Sequence, residues 1–107
     1  MARKPETVFR QRILPYLKAL PNSIVFPIQQ LAIRGTHDFH LCVNGLFISL
    51  ELKKDAKERP SALQAFNAAK IQKAKGISFV VHPENWQDVY KQLLHLSRGD
   101  NVQIKVL

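Results

Sequence analysis

Apolar and polar residues alternate strictly on both sides of Asn44-Gly45, and no other stretch of the chain is patterned so clearly. Both positions of a two-residue hairpin turn need positive φ, which Asn and Gly tolerate, so residues 35–53 read as a β-hairpin. Val43 then faces Leu46, Leu41 faces Ile48, and Asp38 faces Glu51. Side chains alternate between the faces of a strand, so Phe39, Leu41, Val43, Leu46, Ile48, Leu50 and Leu52 make one unbroken apolar face. The other face carries Asp38, His40, Cys42, Phe47, Ser49, Glu51 and Lys53. The first predicts core, the second a cluster of reactive groups.

The remaining periodicities supply what such a hairpin packs against. Phe9, Ile13, Leu17 and Leu20 recur at helical spacing and predict an amphipathic helix over 5–20, begun by Pro5 and bent or interrupted at Pro15. Residues 24–33 are β-rich but broken by Pro27, which suits an edge strand. Arg34-Gly35-Thr36 turns into the hairpin, and residues 54–60 have no periodicity and read as a charged loop. Ser61 is placed to cap an alanine-rich helix over 62–75 that ends at Gly76. Residues 77–82 read as a buried strand reached by a β-helix-β crossover, hence parallel to the strand that holds Glu51. A last helix follows Pro83-Glu84, with Trp86, Val89, Tyr90, Leu93 and Leu96 on its apolar stripe. That stripe makes Trp86 and Tyr90 core residues rather than platforms for stacked bases. Val102, Ile104 and Val106 alternate as a short terminal strand. The predicted fold is α/β, with the order α-β-β-β-α-β around a mixed central sheet, then a helix and the terminal strand.

Composition narrows the partners. One domain over residues 1–107 is all that this length accommodates, and 46% hydrophobic residues suit a globular core. Sixteen Lys and Arg against eight Asp and Glu give a formal charge of +8, which favours a polyanionic partner, nucleic acid before membrane. The single cysteine, Cys42, allows no internal disulfide and suits a reducing compartment, so the cytoplasm is expected. No apolar run approaches the ~20 residues of a membrane span.

The polar face of the hairpin poses a chemical problem. Asp38 and Glu51, directly opposed, would bring two Cβ atoms within roughly 4.5–5.5 Å, and two carboxylates that close repel by roughly 3 kcal/mol at an effective dielectric near 20. A shared proton, the neighbouring Lys53 or a divalent cation would each relieve this. Two hard oxygen donors beside a lysine are also what metal-assisted phosphodiester cleavage requires: carboxylates hold the ion, the ion polarises phosphate and activates water, and the ammonium offsets charge developing on phosphorus. A surface network of acids and lysine explains the same residue types. It does not explain two opposed acids beside one lysine, followed by a basic loop. Elsewhere, Glu6 reads as a favourable acid in a helix's first turn and Gln64 as a solvated helix residue.

Gly35-X-X-Asp38, Glu51-Leu52-Lys53, Ser61-X-X-Gln64 and Gly76 before a strand together resemble the PD-(D/E)XK nuclease superfamily, in its virus-type replication-repair nuclease branch. The resemblance spans residues 5–95 and implies a restriction-endonuclease-like core. It implies Asp38 and Glu51 as metal ligands, with the Leu52 carbonyl and Glu6 as further ones. Lys53 becomes the catalytic lysine, and Gln64 and Glu6 join the active site. Mg²⁺ is the implied cofactor, replaceable by Mn²⁺, with no small-molecule cofactor. His37 departs from the pattern by standing where the family has proline; it reads as an exposed loop histidine or a phosphate contact. Arg34, His37, Lys54, Lys57 and Arg59 are the candidate nucleic-acid contacts. Small stand-alone members of the branch imply a homodimer in a bacterial or phage-infected cell, cutting branched DNA such as four-way (Holliday) junctions in repair or recombination. Two other functions fit the residues: a non-catalytic nucleic-acid-binding module, and a nuclease subunit whose partner supplies specificity. No base-reading motif is visible, so recognition is expected to be by backbone and shape.

Overall fold

Asn44 and Gly45 take φ values of 49° and 84°, and the strands they join, β2 (Phe39–Val43) and β3 (Leu46–Leu52), pair antiparallel in the predicted register. In this computed structural model, which describes residues 5–28 and 37–100, they form the centre of a four-stranded mixed sheet. β1 (Ser23–Pro27) pairs antiparallel with β2 and is an edge strand, its Pro27 at the strand end where a missing N–H costs no ladder bond. β4 (Ile77–Val81) pairs parallel with β3 on the other side, as the crossover requires. Three helices complete the α/β order: α1 (Pro5–Lys18) before β1, α2 (Ala62–Lys73) between β3 and β4, and α3 (Trp86–Ser97) at the end. The predicted terminal strand over 102–106 and the turn at Arg34 lie outside the described residues.

One face of the sheet carries the core. Phe39, Leu41, Val43, Ile48, Leu50, Leu52, Phe79 and Val81 are buried against Phe9, Ile13, Leu17 and Leu20 of the first helical segment and Trp86, Val89 and Leu93 of α3. Burying such side chains contributes roughly 1.5–3 kcal/mol each, which is what orders the surrounding backbone. Pro15 does not interrupt α1; the helix runs through it, and the carbonyl of Pro15 still accepts from Ala19 N–H at 3.1 Å. The apolar stripe that continues past Pro15 through Leu17 and Leu20 holds the helix together where its local hydrogen bonding is weakened.

The opposite face is covered unevenly. Near the turn it is open: Ile24 and Phe26 of β1, Cys42 and Phe47 are exposed. At the far end Ser49 and Glu51 lie beneath α2 and the following loop, at 0% and 2% exposure. Although α2 is rich in alanine, none of its residues is buried, and Leu63 and Phe66 are 43% and 59% exposed. The surface beneath it is polar, so it is attached by hydrogen bonds more than by apolar packing. Its end also differs from expectation. Lys75, at φ 75°, takes the left-handed position, and Gly76 serves a different need: a Cβ there would stand 3.1 Å from the Phe47 carbonyl and 2.9 Å from Ile71. Glycine lets the chain pass close to β3 as it enters β4. No helix among the described residues is long and apolar enough to cross a membrane.

His40, half-buried on this face with its ring 5.3 Å from that of Phe47, makes stability depend on pH. Burial, and secondarily the charge of nearby His37, lower its pKa below the ordinary 6.5. A lowered pKa favours the neutral ring in the folded state. Its contribution to stability is therefore complete above pH 6.5 and is lost as pH falls from there toward the folded-state value. Melting curves between about pH 7.5 and about pH 5.5 should show a smaller decline for His40→Phe than for the parent. Equal declines would dismiss His40 as the source.

Candidate active site

The chemistry gathers where β2 begins and β3 ends, beneath the first turn of α2. Three of the predicted residues meet there, Glu51, Lys53 and Gln64, and Asp38 joins them through the backbone N–H of Leu52. The Leu52 side chain belongs to the core at 3% exposure, so only its backbone faces this region.

Asp38 departs from its predicted place. The β2–β3 ladder ends at Phe39–Leu50, and Asp38 sits at a bend beyond it instead of squarely opposite Glu51. Its Oδ2 accepts from Leu52 N–H at 2.8 Å, and its Oδ1 accepts from Arg10 Nη1 at 2.9 Å. Arg10 also donates to the carbonyls of Asp38 and Ile28, at 3.2 and 3.3 Å, and lies 4.8 Å over the Phe39 ring. A single guanidinium thus ties α1 to the start of β2 and fixes the plane of the carboxylate. The repulsion expected between the two acids is relieved separately, with Arg10 serving Asp38 and Lys53 serving Glu51.

Glu51 is 2% exposed, and Lys53 Nζ lies 3.7 Å from its Oε2, an ion pair longer than a hydrogen bond. The same ammonium stands 3.7 Å from Glu58 Oε1 and donates to Gln64 Oε1 at 3.2 Å. Gln64 is more than a solvated helix residue. Its Oε1 accepts from Ser61 N–H at 2.9 Å while Ser61 Oγ accepts from Gln64 N–H at 3.1 Å, a reciprocal capping box. The box that starts α2 therefore also aims an amide oxygen at Lys53.

His37 overturns the expectation of an exposed loop residue or phosphate contact. It is 2% exposed, with Nδ1 2.8 Å from Ser49 Oγ and Nε2 3.1 Å from the Gln64 carbonyl. Since a carbonyl only accepts, Nε2 carries a proton. Ser49 Oγ and Ser78 Oγ are 2.9 Å apart, which extends the network into β4. This histidine pins the first turn of α2 to β3 and β4.

The segment between β3 and α2 is a loop. Asp55 Oδ1 accepts from the N–H groups of Lys57 and Glu58 at 2.9 and 3.0 Å, which gives the loop a fixed turn. Lys54, Lys57 and Arg59 are exposed on the loop that follows β3, Lys54 with a long ion pair of 3.9 Å to Glu58, and Arg59 lines a cleft with Val80, His82 and Asn85. Arg34 and the side chain of Glu6 lie outside the described residues; Glu6 belongs to the first turn of α1.

Arg10, Glu58, Ser49 and Ser78 were not singled out by the sequence. Only the capping box had a local signature, Ser61-X-X-Gln64. Arg10 and Glu58, which stand beside Asp38 and Lys53, come from remote or unpatterned positions.

The donors suit a hard divalent cation. A carboxylate offers about four lone-pair directions, and Arg10 and Leu52 each take one from Asp38, leaving acceptor capacity. Glu51 adds a second carboxylate, and Mg²⁺ commonly keeps waters and phosphate oxygens in the rest of its shell, so it needs few protein ligands. Among the described residues no cluster of three or more His, Cys, Asp or Glu forms. Comparison with protein-family models, with curated proteins and with solved structures finds no match to this chain.

Proposed function

We propose that the protein is a Mg²⁺-dependent, structure-selective DNA endonuclease acting on branched DNA such as four-way junctions. One observation carries the reading. A costly buried carboxylate, Glu51, is kept next to Lys53, itself only 9% exposed, at the end of β3, where Asp38 accepts from Leu52 N–H and an exposed basic loop begins. Desolvating such charges costs several kcal/mol per ion even after relaxation, and a hydrophobic pair would serve stability as well or better. Chemistry is the reason to keep them.

In this reading Asp38 and Glu51 hold the ion, with the Leu52 carbonyl and Glu6 as further ligands. The ion would supply Lewis-acid polarisation of the phosphate and activation of water. Lys53, held by Gln64, offsets charge on the transferring phosphoryl group. Lys54, Lys57, Arg59 and Arg34 contact the phosphate backbone, and the formal charge of +8 favours encounter. Paired incision of a junction needs two sites, hence a homodimer, and the single exposed cysteine suits a reducing cytoplasm.

The test is incubation of labelled junction, flap and plain duplex DNA with Mg²⁺ or with EDTA. Junction cuts that require Mg²⁺, or Mn²⁺ in its place, are the expected result. Cleavage that survives EDTA removes the metal from the mechanism. Tight, salt-sensitive binding with no cutting under either ion favours the non-catalytic module, for which the engagement of each acid by an intramolecular cation is the specific support. Cutting restored only by a partner protein would assign the chain as a nuclease subunit.

A further inference from the structure

On the side of α1 turned away from Asp38, a cleft of about 330 Å³ opens between α1 and α3, lined by Arg12, Tyr16, Trp86, Gln87 and Tyr90. Its volume is at the small end of the ~300–1,000 Å³ typical of ligand pockets. We infer that this cleft takes an unpaired nucleobase of single-stranded nucleic acid, with Arg12 on the adjoining phosphate. The inference goes beyond the cleavage reading and shares with it only the choice of a polyanionic partner.

Ring geometry is the first support. Trp86 and Tyr90 lie 5.3 Å apart at 35°, while Tyr16 stands nearly perpendicular to them, 6.4 Å from Trp86 at 67° and 5.6 Å from Tyr90 at 75°. Three rings so disposed form the walls of a corner. Trp86 is 5% exposed and helps close the core, but Tyr16 is 51% exposed and not needed to fill it. The stripe that makes Trp86 and Tyr90 core residues therefore also gives them a second surface, completed by a tyrosine from another helix.

Polar chemistry at the rim selects the occupant. Arg12 precedes Tyr16 by four residues, so both lie on one face of α1, and its guanidinium sits 5.2 Å over the Phe9 ring. A fixed cation at the mouth disfavours cationic guests, such as a quaternary ammonium, that an aromatic corner would otherwise attract. It favours a flat π-system joined to an anion. Gln87, exposed on α3, offers both an amide donor and an acceptor to a base edge. Aromatic stacking tolerates any base, in keeping with a chain that has no base-reading motif.

Position gives the site a use. Arg10 and Arg12 are about 200° apart around the helix and roughly 3 Å apart along it. Arg10 reaches Asp38 and Arg12 faces α3, so the cleft lies across α1 from Asp38, about one helix diameter (~10–12 Å) away. An unpaired strand crossing α1 would span that with few nucleotides.

Trp86 is the only tryptophan, so its fluorescence reports on the cleft. The full-length protein is titrated in EDTA, which separates binding from cleavage, with oligothymidylate and with a blunt duplex of equal length. Saturable quenching by the oligothymidylate, weakened by salt, is expected. Tyr16→Ala should weaken that binding roughly tenfold and leave duplex binding unchanged, whereas Tyr16→Phe should bind as the parent does. Circular dichroism checks that each variant folds; should Tyr16→Ala not, Gln87→Ala and Arg12→Gln, both at exposed positions, replace it with the same expectation of selective loss. An unchanged Trp86 signal, equal weakening on single strand and duplex, or a Tyr16→Ala that binds oligothymidylate normally overturns the inference, the last pointing to another occupant such as a peptide. Quenching without any Mg²⁺-dependent cutting would sustain the cleft and overturn the nuclease; cutting without quenching would do the reverse.

Discussion

A Glu51→Gln variant is expected to lose cleavage of branched DNA by roughly 10³-fold while its unfolding midpoint stays level or rises. The two halves of that result have one cause. At 2% exposure the carboxylate is desolvated, which disfavours its charge, and Lys53 stands 3.7 Å from its Oε2, beyond hydrogen-bond length. Glutamine keeps the shape and removes the buried charge. Lys53 is not stranded, because Glu58 Oε1 at 3.7 Å and Gln64 Oε1 at 3.2 Å still surround its ammonium. Activity should fall because a neutral amide is a poor ligand for a hard divalent ion and offers no charge to hold it beside phosphate. Single-turnover cleavage of a labelled junction, paired with thermal melts at equal ionic strength, measures both. Wild-type cleavage by Glu51→Gln would end the metal reading; a large fall in melting temperature would mean that the ion pair is kept for stability.

The contrast between Glu51 and Asp38 also shows where sequence reasoning reaches and where it stops. Register was legible because a two-residue turn at Asn44-Gly45 leaves no freedom in pairing, and the apolar face could then be read residue by residue. The parallel approach of β4 followed from crossover handedness. Asp38 was legible in identity but not in posture: its ladder position predicted a facing acid pair, yet the ladder ends at Phe39–Leu50 and the carboxylate is held by Arg10, 28 residues earlier, and by Leu52 N–H. No local pattern marks a helix-surface arginine as the partner of a particular carboxylate. His37 fails for the same reason. Its burial depends on Ser49, Ser78 and the Gln64 carbonyl, which come together only after β3, α2 and β4 have assembled. Lys75 and Gly76 show a subtler limit. Glycine at a helix end suggests positive φ, but here the space beside Phe47 and Ile71 made it necessary.

Asp38→Asn is expected to remove cleavage as completely as Glu51→Gln, and, unlike it, to lower the melting temperature by about 5–15 °C. The asymmetry lies in the hydrogen bonds. Asp38 accepts at both oxygens, from Arg10 Nη1 at 2.9 Å and from Leu52 N–H at 2.8 Å. Asparagine has one oxygen and one NH₂ group, so in either orientation a donor faces a donor and one of these groups loses its partner. Leaving such a group unsatisfied costs about 1–3 kcal/mol; the side chains of Arg10 and Asp38 are 28% and 20% exposed, so solvent relief holds the cost to about 1–2 kcal/mol. In a domain of this size each kcal/mol moves the midpoint by about 4–8 °C. Loosening Arg10 also weakens its bonds to the carbonyls of Asp38 and Ile28, so α1 and the start of β2 should soften together. Amide hydrogen exchange would show this as faster exchange near residues 10 and 38, with the β3–β4 ladder still protected. Cleavage is then assayed at a temperature where circular dichroism shows the variant folded. Retained cleavage would remove Asp38 from the metal seat, and an unchanged midpoint would mean that the Arg10–Asp38 strut contributes nothing to the fold.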